Sequence, residues 1–114
     1  MHELGLAQSV IEAVGADARR RGFRRVKRVT LRVGEWSAVL PDSLETGFQI
    51  LASLEGELFA GTELRIEREP ARGVCTACGR RFLAGRGGLI CPDCGGDGRL
   101  ENGVELEIES YEGE

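Results

Sequence analysis

Residues 62–110 read TELRIEREPARGVCTACGRRFLAGRGGLICPDCGGDGRLENGVELEIES. Both ends of this stretch alternate. Leu64 and Ile66 are separated by charged residues at one end, and Val104, Leu106 and Ile108 at the other. A period of two marks a strand buried on one face, so these five side chains are expected to point inward. The middle is different. It is rich in glycine, poor in apolar residues and holds all four cysteines. The stretch therefore reads as two strands of one sheet with a small module, residues 70–103, inserted between them.

Working outward, VTLRVGEW (29–36) supplies a further strand, with Val29, Leu31 and Val33 inward and Gly34 ending or bulging it. Leu4, Ala7, Val10, Ile11, Val14 and Ala18 recur at three- and four-residue steps. That predicts an amphipathic helix over 3–21, stopped by Gly22 as the residue after its cap. LPDSLETGFQILAS (40–53) reads as a second helix. Pro41 lies near its start, Asp42 and Glu45 have capping-box spacing, and Leu44, Phe48 and Leu51 form its buried stripe. Gly47 is its weak point. The fold class is then α+β: two helices on one face of a three-stranded sheet, with an inserted zinc-ribbon module. Residues 1–69 and 104–114 form the main domain, and 70–103 the insert.

The other face of the sheet is charged. Arg28 and Arg32 lie on one strand, Glu63, Arg65, Glu67 and Glu69 on the next, and Glu105, Glu107 and Glu109 on the last. Like charges directly opposite one another are unfavourable. The last strand is therefore expected beside the arginine-bearing strand.

The formal net charge is −4, which argues against nucleic acid as the main partner. The basic run RRRGFRRVKR (19–28) is the local exception. It reads as a basic helix end running into a solvated strand, and a sharper reading makes it a docking patch for an acidic partner or RNA. Gln8, Ser9, Glu12 and Asp17 interrupt the most apolar stretch, so no membrane span is expected. No basic and apolar leader opens the chain, so a cytoplasmic location and reduced cysteines are expected.

CTACG and CPDCG place Cys75, Cys78, Cys91 and Cys94 as two C-x2-C pairs. Two intervening residues let one tight turn aim both sulfurs at a single ion. Two such turns complete a tetrahedron of thiolates, which suits a closed, structural Zn2+ site. Gly79 and Gly95 follow the pairs, where the turn needs a positive φ. With few apolar residues besides Phe82, Leu83, Leu89 and Ile90, the module is expected to need its metal to fold. Redox pairs, disulfides and an iron–sulfur cluster are the alternatives.

The only histidine is His2. Methionine removal requires a small second residue, so Met1 is expected to stay. Its amine, the His2 amide nitrogen and the His2 Nδ1 would form two fused chelate rings, with the Glu3 amide nitrogen or carboxylate as a fourth donor. Planar nitrogen donors favour Ni2+ or Cu2+ over Zn2+.

Three motifs occur in order: MHELGLAQSVIEAV (1–14), VTLRVGEWSAVLPDSLETGFQIL (29–51) and the two cysteine knuckles. Over nearly the whole chain they resemble the HypA/HybF hydrogenase-maturation nickel metallochaperones. The resemblance implies a nickel-binding domain with an inserted zinc domain. It matches Met1, His2 and Glu3 to the family's nickel motif, and Cys75, Cys78, Cys91 and Cys94 to its zinc ligands. It implies delivery of transiently bound Ni2+ to the large subunit of [NiFe] hydrogenase, together with a hydrogenase-maturation GTPase. A homodimer is one further arrangement, and urease is served by some relatives. Some members carry histidines beside the cysteine pairs, where this chain has Gly79 and Gly95. No nucleophile–base pair stands out, so the reading is of a carrier and not an enzyme. The competing reading is a zinc-ribbon nucleic-acid-binding or adaptor protein.

Overall fold

The computed structural model describes residues 2–85 and 88–114, the side chain of His2 excepted. Helix α1 (His2–Arg20) buries Ala7, Val10, Ile11, Val14 and Ala18, as their spacing predicts. Leu4, at the head of the stripe, is more than one-third exposed. The helix stops in a Schellman turn. The Phe23 N–H reaches the Ala18 carbonyl at 2.9 Å and the Gly22 N–H the Arg19 carbonyl at 3.1 Å. Gly22 adopts φ +78°, a conformation with no Cβ penalty for glycine alone.

Strand β1 (Val26–Gly34) is the central strand of its sheet, and Val26, Val29 and Leu31 are fully buried. Helix α2 (Pro41–Ala52) buries Leu44, Gly47, Phe48 and Ala52. Leu51, expected in the stripe, is only half-buried, because the stripe drifts to Ala52 at the helix end. The expected capping box is not formed. Leu40 is the N-cap and offers no side-chain bond, which places Asp42 two positions too far into the helix to be the cap. A 3-10 turn (Gly56–Phe59) brings Phe59 edge-on against Phe48 at 6.5 Å. Strand β2 (Glu63–Glu69) then buries Leu64 and half-buries Ile66. The Thr62 hydroxyl donates to the Val26 carbonyl at 2.7 Å and Arg28 pairs with Glu63 at 2.9 Å. The Glu35 N–H reaches the Glu69 carbonyl at 2.8 Å. Partners advance together along both strands, so β2 runs parallel to β1 and α2 is the crossover between them.

The cysteine-bearing segment contributes strands β3 (Arg72–Cys75), β4 (Arg81–Leu83) and β5 (Gly98–Asn102). They form their own antiparallel sheet in the order β4-β3-β5. Strand β6 (Leu106–Gly113) returns to the first sheet, whose order is β2-β1-β6. The glutamate-rich last strand thus lies beside the arginine-bearing one, as charge pairing predicts. Arg28 sits between Glu63 at 2.9 Å and Glu112 at 3.4 Å.

The inward residues of β6 differ from expectation. Val104 precedes the strand and is exposed, Ile108 is more than one-third exposed, and Leu106 is half-buried. The side chain that reaches the helix is Tyr111, whose hydroxyl donates to Asp17 of α1. Glu112 on the opposite face meets Arg28. Strand faces alternate strictly, so anchoring Tyr111 inward turns Ile108 outward. A tyrosine with a charged helix partner outweighs two aliphatic residues on an edge strand.

The chain divides into two compact units. One comprises Met1–Leu31, Val39–Glu67 and Glu107–Glu114, and the other Arg32–Ala38 and Arg68–Leu106. Within the second unit, Gly34 ends β1 at a close backbone approach. A Cβ there would lie 2.2 Å from the carbonyl carbon and oxygen of Gly103. The Trp36 N–H donates to that same carbonyl at 2.7 Å, and Glu35 accepts the Ala71 N–H at 2.9 Å. No helix among the described residues is long and apolar enough to cross a membrane.

Candidate metal centres

Two turns of identical design carry the four cysteines. In the first, the Cys75 N–H reaches the Arg80 carbonyl at 2.9 Å and the Gly79 N–H the Cys75 carbonyl at 3.0 Å. In the second, the Cys91 N–H reaches the Gly96 carbonyl at 2.9 Å and the Gly95 N–H the Cys91 carbonyl at 3.0 Å. Gly79 and Gly95 take φ +76° and +73°, as the position after each pair requires. The Thr76 N–H and hydroxyl both donate to the Asp97 carbonyl at 2.9 Å, and Arg80 pairs with Asp93. These contacts tie one turn to the other. Beneath them, Cys75, Cys91 and Phe82 form a small buried cluster.

The sulfurs converge. All four lie within 4.8 Å of one another, with Cys75–Cys94 at 3.5 Å and Cys78–Cys91 at 3.8 Å. Four sulfurs at about 2.3 Å from one Zn2+ would stand about 3.8 Å apart in a tetrahedron, so the donor set fits that ion. Cys75 and Cys91 are buried while Cys78 and Cys94 are exposed.

The thiols differ in acidity for local reasons. The N–H groups of Cys78 and Ala77, each 3.4 Å from the Cys75 sulfur, hold its thiol down to about 6. At Cys94 the Gly96 N–H favours the thiolate, yet the neighbouring Cys75, Cys78 and Cys91 sulfurs and burial together push it up to about 12. Cys78 is raised in the same way, against the pull of the Arg80 N–H. Four anions cannot share this space unaided, and a divalent cation supplies the missing charge. Zinc bound by Cys75, Cys78, Cys91 and Cys94 would cross-link the two turns with no open ligand position. The cysteine spacing foretold this cluster. The N–H donors around it follow from turn geometry, which spacing alone does not reveal.

Met1 and the side chain of His2, the two leading nickel-ligand candidates, lie outside the described residues. Glu3 lies in the first turn of α1, where backbone N–H groups have no partner within the helix. One of its carboxylate oxygens accepts the Leu40 N–H at 3.1 Å. This completes the cap that α2 lacks, with α1 doing for α2 what a capping-box glutamate does within one helix. Glu3, Leu4, Asp42, Ser43, Thr46, Gly47 and Ile50 line the shallow groove between the two helices. Only the spatial contact of α1 with Leu40 exposes this role.

Most of the basic run is paired. Arg19 meets Glu55, Arg20 and Arg21 meet Asp17, Arg28 meets Glu63 and Glu112, and Lys27 meets Glu114. Such exposed pairs make it a solvated, mutually neutralised face.

An α+β unit joined in one chain to a four-cysteine cluster suited to zinc defines a metal-binding protein. The family model described as "Hydrogenase/urease nickel incorporation, metallochaperone, hypA" matches residues 1–113, and the chain belongs to this HypA family. The chain is 42% identical over 113 residues to the hydrogenase maturation factor HypA of Geobacter metallireducens, covering 98% of each. It is 38% identical over 116 residues to that of Moorella thermoacetica, covering 100% of each. The solution structure of the Ni metallochaperone HypA from Helicobacter pylori has the same fold. Its TM-score is 0.69 at 21% identity, with 97% of this chain and 96% of that chain covered. A second HypA solution structure gives a TM-score of 0.76 at 22% identity, covering 99% and 96%.

Proposed function

We propose that this protein binds Ni2+ at Met1, His2 and Glu3 and delivers it to the large subunit of [NiFe] hydrogenase during maturation, in concert with a maturation GTPase. In this reading residues 1–69 and 104–114 form the nickel-binding domain and 70–103 the zinc-binding domain. The observation that carries it is the family match over residues 1–113, combined with a helix that begins at the Met-His-Glu motif. Nickel is cargo, so its site must release as well as bind.

The Leu40 contact supports one of the two Glu3 donors over the other. With one Glu3 carboxylate oxygen engaged as a cap, the Glu3 amide nitrogen is the better candidate for the fourth planar donor. The ligands are then the Met1 amine, the His2 amide and Nδ1, and the Glu3 amide. Each deprotonated amide adds negative charge, which offsets the positive end of the helix dipole. Hydrogenase is preferred to urease because the relatives are named for hydrogenase maturation. The zinc module acts as a folding and docking element and carries no catalytic step.

The test is Ni2+ titration of protein with its native amino terminus, beside His2→Ala and a version with one residue added before Met1. Square-planar absorption in the native protein alone is expected. Equal nickel binding by all three would reject the site.

A further inference from the structure

The second cysteine turn contains two consecutive glycines, and only one is explained by backbone conformation. Gly95 has φ +73° and open space where a Cβ would stand. Gly96 has no positive φ, so its backbone would admit any residue. Its surroundings would not. A Cβ on Gly96 would lie 3.2 Å from the Cys75 sulfur, 3.3 Å from the Cys94 sulfur and 3.2 Å from the Cβ of Ala77. Its carbonyl accepts the Cys91 N–H at 2.9 Å, and its own N–H bonds the Cys94 sulfur. Gly96 therefore touches three of the four cysteines and both turns.

The equivalent position of the first turn is occupied by Arg80, which makes the same backbone bonds: its carbonyl accepts from Cys75 and its N–H bonds the Cys78 sulfur. Arg80 sends its side chain outward to Asp93. The two turns share one hydrogen-bond plan but differ in which side meets the opposing sulfur.

We propose that Gly96 is a positioning residue of the four-cysteine centre: its missing side chain is the space into which the Cys75 and Cys94 sulfurs close. Contacts of 3.2–3.3 Å are tolerable only where a neighbour gives by a few tenths of an ångström. Free thiols can rotate away. Sulfurs held by a metal cannot, because bond length and angle fix them. An added methyl therefore opposes the metal-bound arrangement more than the metal-free one.

The experiment titrates Co2+, a tetrahedral reporter, into reduced full-length protein and then displaces it with Zn2+ against a chelator. Gly96→Ala should shift the ligand-field bands and weaken zinc in competition by tenfold or more, with helical circular dichroism unchanged. Arg99→Ala, at an exposed position of β5, should match wild type. A Gly96→Ala protein with the wild-type spectrum and competition midpoint overturns the proposal, as does equal weakening by Arg99→Ala. Should Gly96→Ala bind no cobalt, adding Ala77→Gly relieves one of the three contacts and should restore part of the signal; no restoration counts against crowding as the cause. A wild-type protein giving no tetrahedral cobalt spectrum would instead overturn the zinc reading on which the proposal rests.

Discussion

Glu3 sits at the meeting of two requirements. As a motif residue it belongs with Met1 and His2, yet its carboxylate accepts the Leu40 N–H and completes the first turn of α2. The two roles separate by substitution. Glu3→Ala removes the acceptor and should lower stability by about 1 kcal/mol, the usual worth of a cap. Glu3→Gln keeps an acceptor oxygen and should lose less than half of that. Both variants retain the backbone amide, so both should still give planar nickel absorption if that amide is the fourth donor. Urea denaturation and nickel titration of the pair check this, and loss of the planar spectrum in Glu3→Gln would return the carboxylate to the ligand set. The contrast with the cysteines is instructive. Cys75, Cys78, Cys91 and Cys94 were legible because their chemistry and their spacing coincide in sequence. Glu3 as a cap for Leu40 was not, because the two residues are distant in sequence and meet only when α1 and α2 pack.

Among the elements, the α1 periodicity and the Gly22 stop were legible because each is a local pattern with one physical cause. The face of β6 was not, since one inward tyrosine reverses the alternation that Val104, Leu106 and Ile108 suggest. That tyrosine carries a pH signature. Hydrogen bonding from the Tyr111 hydroxyl, followed by that from Arg20, holds the Asp17 carboxyl below its ordinary value. In the unfolded chain the same carboxyl takes up its proton at about pH 4. The stabilisation is therefore complete above that pH and is lost as pH falls through the depressed native value. Tyr111→Phe should be less stable than wild type at neutral pH, and the difference should shrink during acid titration. A gap that stays constant to the acid end would mean the hydroxyl does not set the Asp17 titration. Gly47 offers a second test between elements. Its open side meets Leu4 Cδ1 at 3.4 Å and Ala7 Cβ at 3.8 Å, ordinary contact distances. Gly47→Ala should therefore stabilise the protein by up to about 1 kcal/mol through helix propensity. Gly47→Leu should force α1 from α2 and destabilise it. Both are read from denaturation midpoints.

At the scale of the whole molecule, two units of different kind share one chain. The first is held by an apolar interior that includes Val10, Val14, Leu31, Leu44, Phe48 and Phe59. The second buries little beyond Val33, Ala71, Phe82, Ala84 and two of its cysteines, so its order is expected to depend on a metal. No alternation in VGEW assigns 32–38 to that second unit. Backbone bonds from Glu35 to Glu69 and from Trp36 to Gly103 do so. Trp36 is the only tryptophan and is partly exposed there, so its fluorescence reports the second unit alone. The helical signal of α1 and α2 reports the first. Stripping zinc with a strong chelator under reducing conditions should shift Trp36 emission to the red while far-UV circular dichroism keeps most of its helical amplitude. Readdition of zinc should reverse the fluorescence change. If both probes instead collapse together at one chelator concentration, the helices too depend on the metal, and the apolar interior of the first unit is not enough to hold it folded.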